Sequence, residues 1–253
     1  MPEVKNFASF AVGNLIILGI NYKNIVTSYD ITIIKALTIN IDLIETIRHQ
    51  VKDLENAFEY TTNALARATD ANDDLTGKHI KRVNSFAKKI AQELGLTEDF
   101  TEEIYNAAQM HDVGKIYVDK AILSKPGKLT YEEFEEMKKH TIYGEKIIGD
   151  SKYLKMSAEI ARSHHERYDG SGYPDGKVGE DIPLSARIVC LADIYDALRS
   201  ARPYKRAFSH EEAYKIIVEG DGRVMPYHID PRVLEVFKKT QKEFDRIYCE
   251  LED

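Results

Sequence analysis

The chain has 253 residues, of which 43 % are hydrophobic and 30 % charged, with 7 Pro and 14 Gly. This composition excludes a disordered or fibrous protein. The 35 Lys and Arg against 42 Asp and Glu give a net charge of −7, which argues against a protein that grips long nucleic acid. The two cysteines, Cys190 and Cys249, have no CxxC spacing. They exclude a disulfide scaffold or zinc ribbon and favour a reducing cytoplasm.

An apolar segment near the start, from Phe7 to Ile20, is interrupted by Ser9 and Asn14. It is shorter than the roughly 20 apolar residues that a spanning helix needs. It also lacks the basic start and small-residue cleavage site of a signal peptide. We therefore expect a buried strand or strand pair rather than a targeting segment, no membrane span, and a cytoplasmic protein.

A helical pattern follows over residues 41–68, with apolar residues spaced by three, four and seven, including Ile44, Ile47, Val51, Leu54, Phe58 and Leu65. Such a helix could pair with a second copy of the chain, as a homodimer, or pack on its own domain. We expect a short N-terminal piece over 1–40, a connecting helix over 41–72 and a catalytic domain over 73–253. The apolar strand, the short loop and the segment Thr27–Asp30, which would open a long helix, resemble the last third of a GAF-type sensor domain.

Helix signals dominate the remainder of the chain. Thr97 is a candidate N-cap for a helix that reaches 109–111. Three further helix starts are indicated by capping-box pairs and by a cap residue before proline: Thr130 with Glu133, Ser209 with Glu212, and Asp230 with Pro231. With no alternating strand pattern here, this region is predicted to be nearly all helical.

Five of the eight histidines lie in distinctive positions: His79, His111, His140, His164 and His165. Imidazole and carboxylate together suit first-row metals such as iron and manganese. Asp112 follows His111 directly, so one helix end could offer a nitrogen and a carboxylate to the same place. Each histidine alone is more often a hydrogen-bonded core or surface residue, and the long spacings do not show that the five converge.

Four motifs resemble those of a known family. The segment HDVGK at 111–115 resembles the HD signature of the HD phosphohydrolases, and HHERYDGSGYP at 164–174 resembles the signature of their HD-GYP subgroup. LADIYDAL at 191–198 and RPYK at 202–205 follow in the family's order. The resemblance covers about residues 75–236. It implies a mainly α fold, an HD-type helical bundle, preceded here by the short N-terminal piece and connecting helix.

The resemblance also implies a metal centre. Its ligands would be His79, His111, Asp112, His140, His164, His165 and Asp193, with Asp112 bridging two ions. His79, His111 and Asp193 would complete one ion, and the other three histidines the second. Family members with three metals carry a carboxylate where this chain has Leu75. We therefore expect two divalent ions, with iron favoured and manganese as the alternative, and no third.

Further roles are implied for residues around this centre. Lys115 would act beside Asp112 in catalysis, and Lys115, Gly172, Tyr173, Arg202 and Lys205 would contact the substrate. Glu166, Asp169 and Asp196 would orient the ligands and the loop. The ordinary alternatives are solvated surface positions for Lys115, Arg202 and Lys205, and loop packing for Tyr173.

The function implied is a metal-dependent phosphodiesterase. It would hydrolyse cyclic di-GMP to pGpG through a metal-bridging hydroxide, with further cleavage to GMP left open. One alternative is an effector that binds the dinucleotide with little turnover. Another is an HD hydrolase that acts on the mixed cyclic GMP-AMP.

Overall fold

The computed structural model describes residues 4–73, 77–201 and 206–251, and the chain divides into two compact units, Met1–Tyr60 and Thr61–Asp253. The fold is mainly α, as predicted. In chain order the strands and helices are β1 (Phe7–Val12), β2 (Leu15–Ile20), α1 (Ser28–Asp73), α2 (Gly77–Glu93), α3 (Glu98–Ala107), α4 (Lys120–Leu123), α5 (Tyr131–Lys138), α6 (His140–Ile148), α7 (Lys155–Ser163), α8 (Leu184–Arg199), α9 (His210–Glu219) and α10 (Pro231–Glu250).

The first unit begins with an antiparallel hairpin in which Phe7 pairs with Ile20. The expected strand pair is confirmed, but the expectation that it is buried is wrong. Ala8 is buried, whereas Ile16 is 71 % and Leu18 57 % exposed. Successive side chains of a strand point to opposite faces, so a two-stranded sheet packed on one side leaves alternate residues exposed.

Helix α1 starts at Ser28, within the segment Thr27–Asp30 that the GAF resemblance places at the opening of a long helix, and before position 41, where the apolar periodicity begins. Its first turn is held by Thr27, whose backbone N–H and hydroxyl both donate to Asp30 Oδ2, at 2.8 and 2.7 Å. The absence of proline from this stretch of the sequence allows its 46 residues to continue without a break. Within the described parts of the chain, no helix is both long and apolar enough to cross a lipid bilayer.

The core of the second unit contains an aromatic cluster where α2, α8 and α10 meet. Phe86 of α2 stacks on Phe244 of α10 at 4.8 Å between ring centroids, and Tyr195 of α8 meets Phe86 edge-on at 5.1 Å. All three side chains are fully buried. The predicted helix starts are confirmed, because the side chains of Thr97, Thr130, Ser209 and Asp230 all accept the expected cap hydrogen bonds.

The segment around His111 differs from its prediction. Helix α3 ends at Ala107 and is followed by two short 3-10 segments, Ala108–Met110 and Val113–Tyr117, with the His-Asp pair in the turn between them. The tighter turns bring Gly114 against α6, where an added Cβ would lie 1.9 Å from the carbonyl oxygen of His140. This close approach places His140 beside Asp112.

Candidate metal centre

The structure brings all seven expected ligand residues together. They form two clusters, and the potential ligand atoms within each lie no more than 4.8 Å apart: His79, His111 and Asp193 in cluster A, and Asp112, His140, His164 and His165 in cluster B. The resemblance implies the same division of the other six residues, with Asp112 shared between the two ions.

Five separate parts of the fold supply these residues. Helix α2 carries His79 and helix α8 carries Asp193. The turn after α3 carries His111 and Asp112. His140 is the first residue of α6, and the two remaining histidines follow the end of α7 directly. Elements this far apart in sequence converge only through the packing of the unit, which explains why spacing alone did not reveal the site.

Four of the histidines are fixed in orientation by an acceptor at Nδ1. The acceptors are Asp196 Oδ2 for His79 at 2.7 Å, the Ala108 carbonyl for His111 at 2.8 Å, the Met137 carbonyl for His140 at 2.7 Å and the Ile160 carbonyl for His164 at 3.0 Å. Because these acceptors require Nδ1 to carry a proton, the lone pair of a neutral ring is left on Nε2. Each Nε2 faces a carboxylate of the centre.

The carboxylate of Asp112 lies between the clusters. Its Oδ1 is 3.4 Å from His140 Nε2 and 3.7 Å from His164 Nε2. Its Oδ2 is 3.3 Å from His111 Nε2 and 2.8 Å from Lys115 Nζ. Burial opposes ionisation here, but Lys115 and His111 hold the pKa of Asp112 well below its usual value. One ionised carboxylate therefore presents one oxygen to each cluster.

The pKa of His111 in cluster A and the pKa values of His140 and His165 in cluster B are shifted in opposite directions. Burial opposes a charge on His111, yet the carboxylates of Asp112 and Asp193 raise its pKa to about 9. In cluster B, burial, with the charges of His164 and Lys115, lowers the pKa of His140 to about 4. Burial likewise lowers the pKa of His165. Metal ligation requires neutral imidazole, so at a pH below about 9 metal binding at His111 must release a proton.

The donor set fits divalent metal ions. The Nε2 atoms of His79, His111, His140 and His164 and the Oδ1 of Asp112 are buried and have no hydrogen-bond partner among the residues that the structure describes. Such unpaired buried polar atoms are rare in proteins and carry a free-energy penalty. A cation in each cluster would satisfy them, and mixed imidazole and carboxylate ligands suit iron and manganese.

The clusters open into a pocket of about 290 Å³. Lys115 and Tyr173 lie in its wall, with the Tyr173 ring 4.8 Å from that of His165. The motifs did not indicate the rest of the wall, which includes Ile122, Leu123, Lys125, Leu129 and Met137. No pattern in the sequence marks these residues as pocket-lining.

The loop after α7 depends on a close backbone contact and on two carboxylates. An added Cβ at Gly172 would lie 2.3 Å from the Arg167 backbone nitrogen, so only glycine fits there. Glu166 accepts hydrogen bonds from the backbone N–H groups of Asp175, Gly176 and Lys177. Asp169 accepts from the backbone and hydroxyl of Ser171. Both carboxylates thus order the loop that carries Tyr173.

Asp196, by contrast, contacts a candidate ligand, His79, directly. Two of the five expected substrate contacts, Arg202 and Lys205, and the position Leu75, lie outside the described residues.

Known proteins resemble this chain in sequence and in fold. A model of the HD domain family matches residues 63–233. A cyclic di-GMP phosphodiesterase of Vibrio cholerae is 41 % identical over 84 % of this chain and 45 % of its own length. A 3'3'-cGAMP-specific phosphodiesterase 2 of the same organism is 36 % identical over 94 % of this chain and 45 % of its own length.

A solved structure has the same fold. The cyclic GMP-AMP phosphodiesterase V-cGAP3 of V. cholerae aligns with a TM-score of 0.55 at 19 % identity, covering 77 % of this chain and 51 % of that one. This chain spans about half the length of the curated relatives it matches. The family match confirms the assignment made from the sequence: the chain belongs to the HD domain family, and its motifs resemble those of the HD-GYP group.

Proposed function

We propose that this domain is a metal-dependent phosphodiesterase that hydrolyses cyclic di-GMP to pGpG. The observation that carries the proposal is the position of Asp112, with one oxygen toward each histidine cluster and Lys115 at 2.8 Å. We propose the seven clustered residues as ligands of two divalent ions, with iron favoured over manganese. When bound, such ions supply an activated water at neutral pH and neutralise charge on a phosphodiester.

The chain's own residues would orient the reaction. Water supplies a hydroxyl group to phosphorus and a proton to the leaving 3′ oxygen, and one P–O bond breaks. The Lys115 ammonium beside Asp112 is placed to stabilise the charge that develops on the phosphate or on the leaving oxygen. Tyr173 is held at the pocket by the loop that Glu166 orders, where its ring can pack against a base.

The choice of cyclic di-GMP rests on the named relatives. The 41 % identical relative is named for cyclic di-GMP, and the 36 % identical one for 3'3'-cGAMP. Both ligands are cyclic dinucleotides with two phosphodiester bonds, and the described pocket residues do not separate guanine from adenine. Cyclic GMP-AMP is therefore the alternative substrate. The paired buried clusters favour an enzyme over an effector with little turnover.

The test measures metal content and turnover on the same anaerobically prepared protein. We expect two ions of iron or manganese per chain and release of pGpG from cyclic di-GMP at a higher kcat/KM than from cyclic GMP-AMP. Faster cleavage of cyclic GMP-AMP would overturn the substrate assignment. Bound but uncleaved cyclic di-GMP, with two metals present, would overturn the enzymatic proposal in favour of an effector.

We also propose that two copies of the chain pair in parallel through α1. Six apolar side chains of the first unit, each between 48 and 71 % exposed, follow a heptad pattern: Leu37, Ile44, Ile47, Val51, Leu54 and Phe58. The opposite side of the helix carries polar residues such as Glu45, Lys52 and Asn56. A second copy is the occupant that this pattern fits, because identical heptads align in register and bury like positions against like.

The proposed dimer surface differs from the expected 41–68, because it begins earlier on α1 and ends by residue 60. Thr62 is buried and its hydroxyl accepts from Gln109 Nε2 at 3.1 Å, so the helix beyond position 60 packs within the second unit. Residues 28–60 still form about 50 Å of helix at 1.5 Å per residue. A strip about 10 Å wide on two copies buries roughly 1,000 Å², at the lower end for specific interfaces.

Disruption of the heptad face is expected to give monomers. The double variant Val51→Glu/Leu54→Glu should weaken the dimer at least about 100-fold by sedimentation, since two charges per copy would enter an apolar seam. The matched control, His49→Glu/Asn56→Glu, adds the same charges on the polar side and should leave a dimer. In a Cys249→Ser background, Val51→Cys should form an intermolecular disulfide if the helices are parallel. A monomeric wild-type chain or a dimeric double variant would contradict the proposal.

A further inference from the structure

Arg82 is not a candidate ligand, but it is buried and contacts Asp196, which in turn contacts the candidate ligand His79. It is 3 % exposed, and the Asp196 side chain that it meets is 1 % exposed. Arg82 Nε donates to Asp196 Oδ1 at 2.5 Å, and its Nη2 donates to Oδ2 at 3.2 Å. The same Oδ2 is 2.7 Å from His79 Nδ1. Guanidinium, carboxylate and imidazole therefore form one hydrogen-bonded chain.

The four residues involved lie in pairs on two neighbouring helices. His79 and Arg82 are three apart on α2, and Asp193 and Asp196 are three apart on α8. Residues three apart share a helix face. Two of the three members of cluster A, His79 and Asp193, thus come from α2 and α8. One helical turn further along, the ion pair between Arg82 and Asp196 joins the same two helices.

Arg82 is itself fixed from other sides. Its Nη1 donates to the carbonyl of Leu251 at 3.2 Å, and its guanidinium lies over the Tyr248 ring at 4.9 Å. The planar guanidinium of Arg82 is held at several points and has little freedom to rotate. It is therefore a rigid support for the Asp196 carboxylate. Lysine in its place would keep the charge but could not reproduce the two parallel contacts.

We propose that Arg82 is a positioning residue for cluster A: through Asp196 it orients His79 and sets the distance between α2 and α8, and so controls the affinity of one metal ion. Cluster B takes its residues from the turn at 111–112, from the start of α6 and from the end of α7. Neither α2 nor α8 contributes to it, so its ion should be unaffected. This inference rests on the proposed two-metal site.

The experiment counts metal per chain and titrates metal binding in Arg82→Lys and Arg82→Gln. Loss of a carboxylate that orients a metal-binding histidine typically weakens metal affinity by 10–100-fold, and loss of the support for that carboxylate should act in the same range. We expect one tightly bound ion in place of two, the second site weakened by about 10–100-fold, and kcat partly restored by excess metal in Arg82→Lys.

Arg199 offers a matched control. It is also buried, pairs with Asp245 at 2.6 Å and Tyr195 at 2.8 Å, and lies over the same Tyr248 ring at 4.3 Å. Arg199→Lys and Arg199→Gln should therefore disturb the packing of α8 on α10 similarly while keeping two ions.

Circular dichroism separates unfolding from metal loss. Two ions at wild-type affinity in a folded Arg82→Lys would overturn the inference, and so would loss of both ions from that folded variant. An equal loss in the Arg199 variants would show a general packing effect and also overturn it. Failure of the two-metal proposal itself would be seen differently, as fewer than two ions in the wild-type chain.

Discussion

Asp112→Asn is expected to lower turnover of a cyclic dinucleotide by at least about 100–1,000-fold, the loss that follows removal of one group stabilising transition-state charge. The side chain keeps its shape, but one oxygen becomes an NH₂ group without a lone pair for a metal. Since Oδ1 faces His140 and His164, and Oδ2 faces His111 and Lys115, either amide orientation removes an acceptor from one cluster. The measurements are kcat and metal ions per chain, which should fall below two.

The control for this variant is Asp119→Asn. Asp119 is the N-cap of α4, accepts from the Ala121 backbone at 2.8 Å and is exposed. Asparagine caps helices as well as aspartate does, so this variant should retain wild-type turnover and metal content. A folded Asp112→Asn protein with two ions and an unchanged kcat would refute the role of Asp112 as the shared carboxylate.

Much of the helical framework could be predicted because its signals are local. Thr97 and Ser209 mark helix starts through hydrogen bonds that span only three residues. The end of α3 at Ala107 was not predictable in the same way. It reflects the contact of Gly114 with the His140 carbonyl, between residues 26 positions apart, and no local pattern encodes such a contact.

The residues of the site, like the helices, were predictable only where the signal is local in sequence. The motifs pointed to the seven clustered residues only through the family resemblance, because His79 and Asp193 are far apart in sequence and meet by helix packing. Arg82 was missed, although a signal existed. Its spacing of three from His79 on a predicted helix, matched by Asp193 and Asp196, places two ligands and two supporting residues on facing sides.

Gly114→Ala is expected to reduce turnover by roughly 100-fold and to lower the free energy of unfolding by about 1–3 kcal/mol. The added Cβ would lie 1.9 Å from the His140 carbonyl oxygen and 2.4 Å from the Gly144 backbone nitrogen. Both contacts are with backbone atoms, so no side-chain rotation relieves them and the turn must move away from α6. That movement separates Asp112 from His140, and a misplacement of about 1 Å in a catalytic group can cost 100-fold in rate.

Gly144→Ala provides a graded comparison across the same contact between the turn and α6. There the nearest atom to an added Cβ is the Ala161 Cβ at 3.1 Å, a tight contact that a shift of a few tenths of an ångström relieves. The loss of turnover in Gly144→Ala should therefore be clearly smaller than the loss in Gly114→Ala. Urea unfolding and kcat measured on both variants test this order. Equal effects, or wild-type turnover in Gly114→Ala, would mean that the turn tolerates displacement and that close approach to α6 does not set the geometry of cluster B.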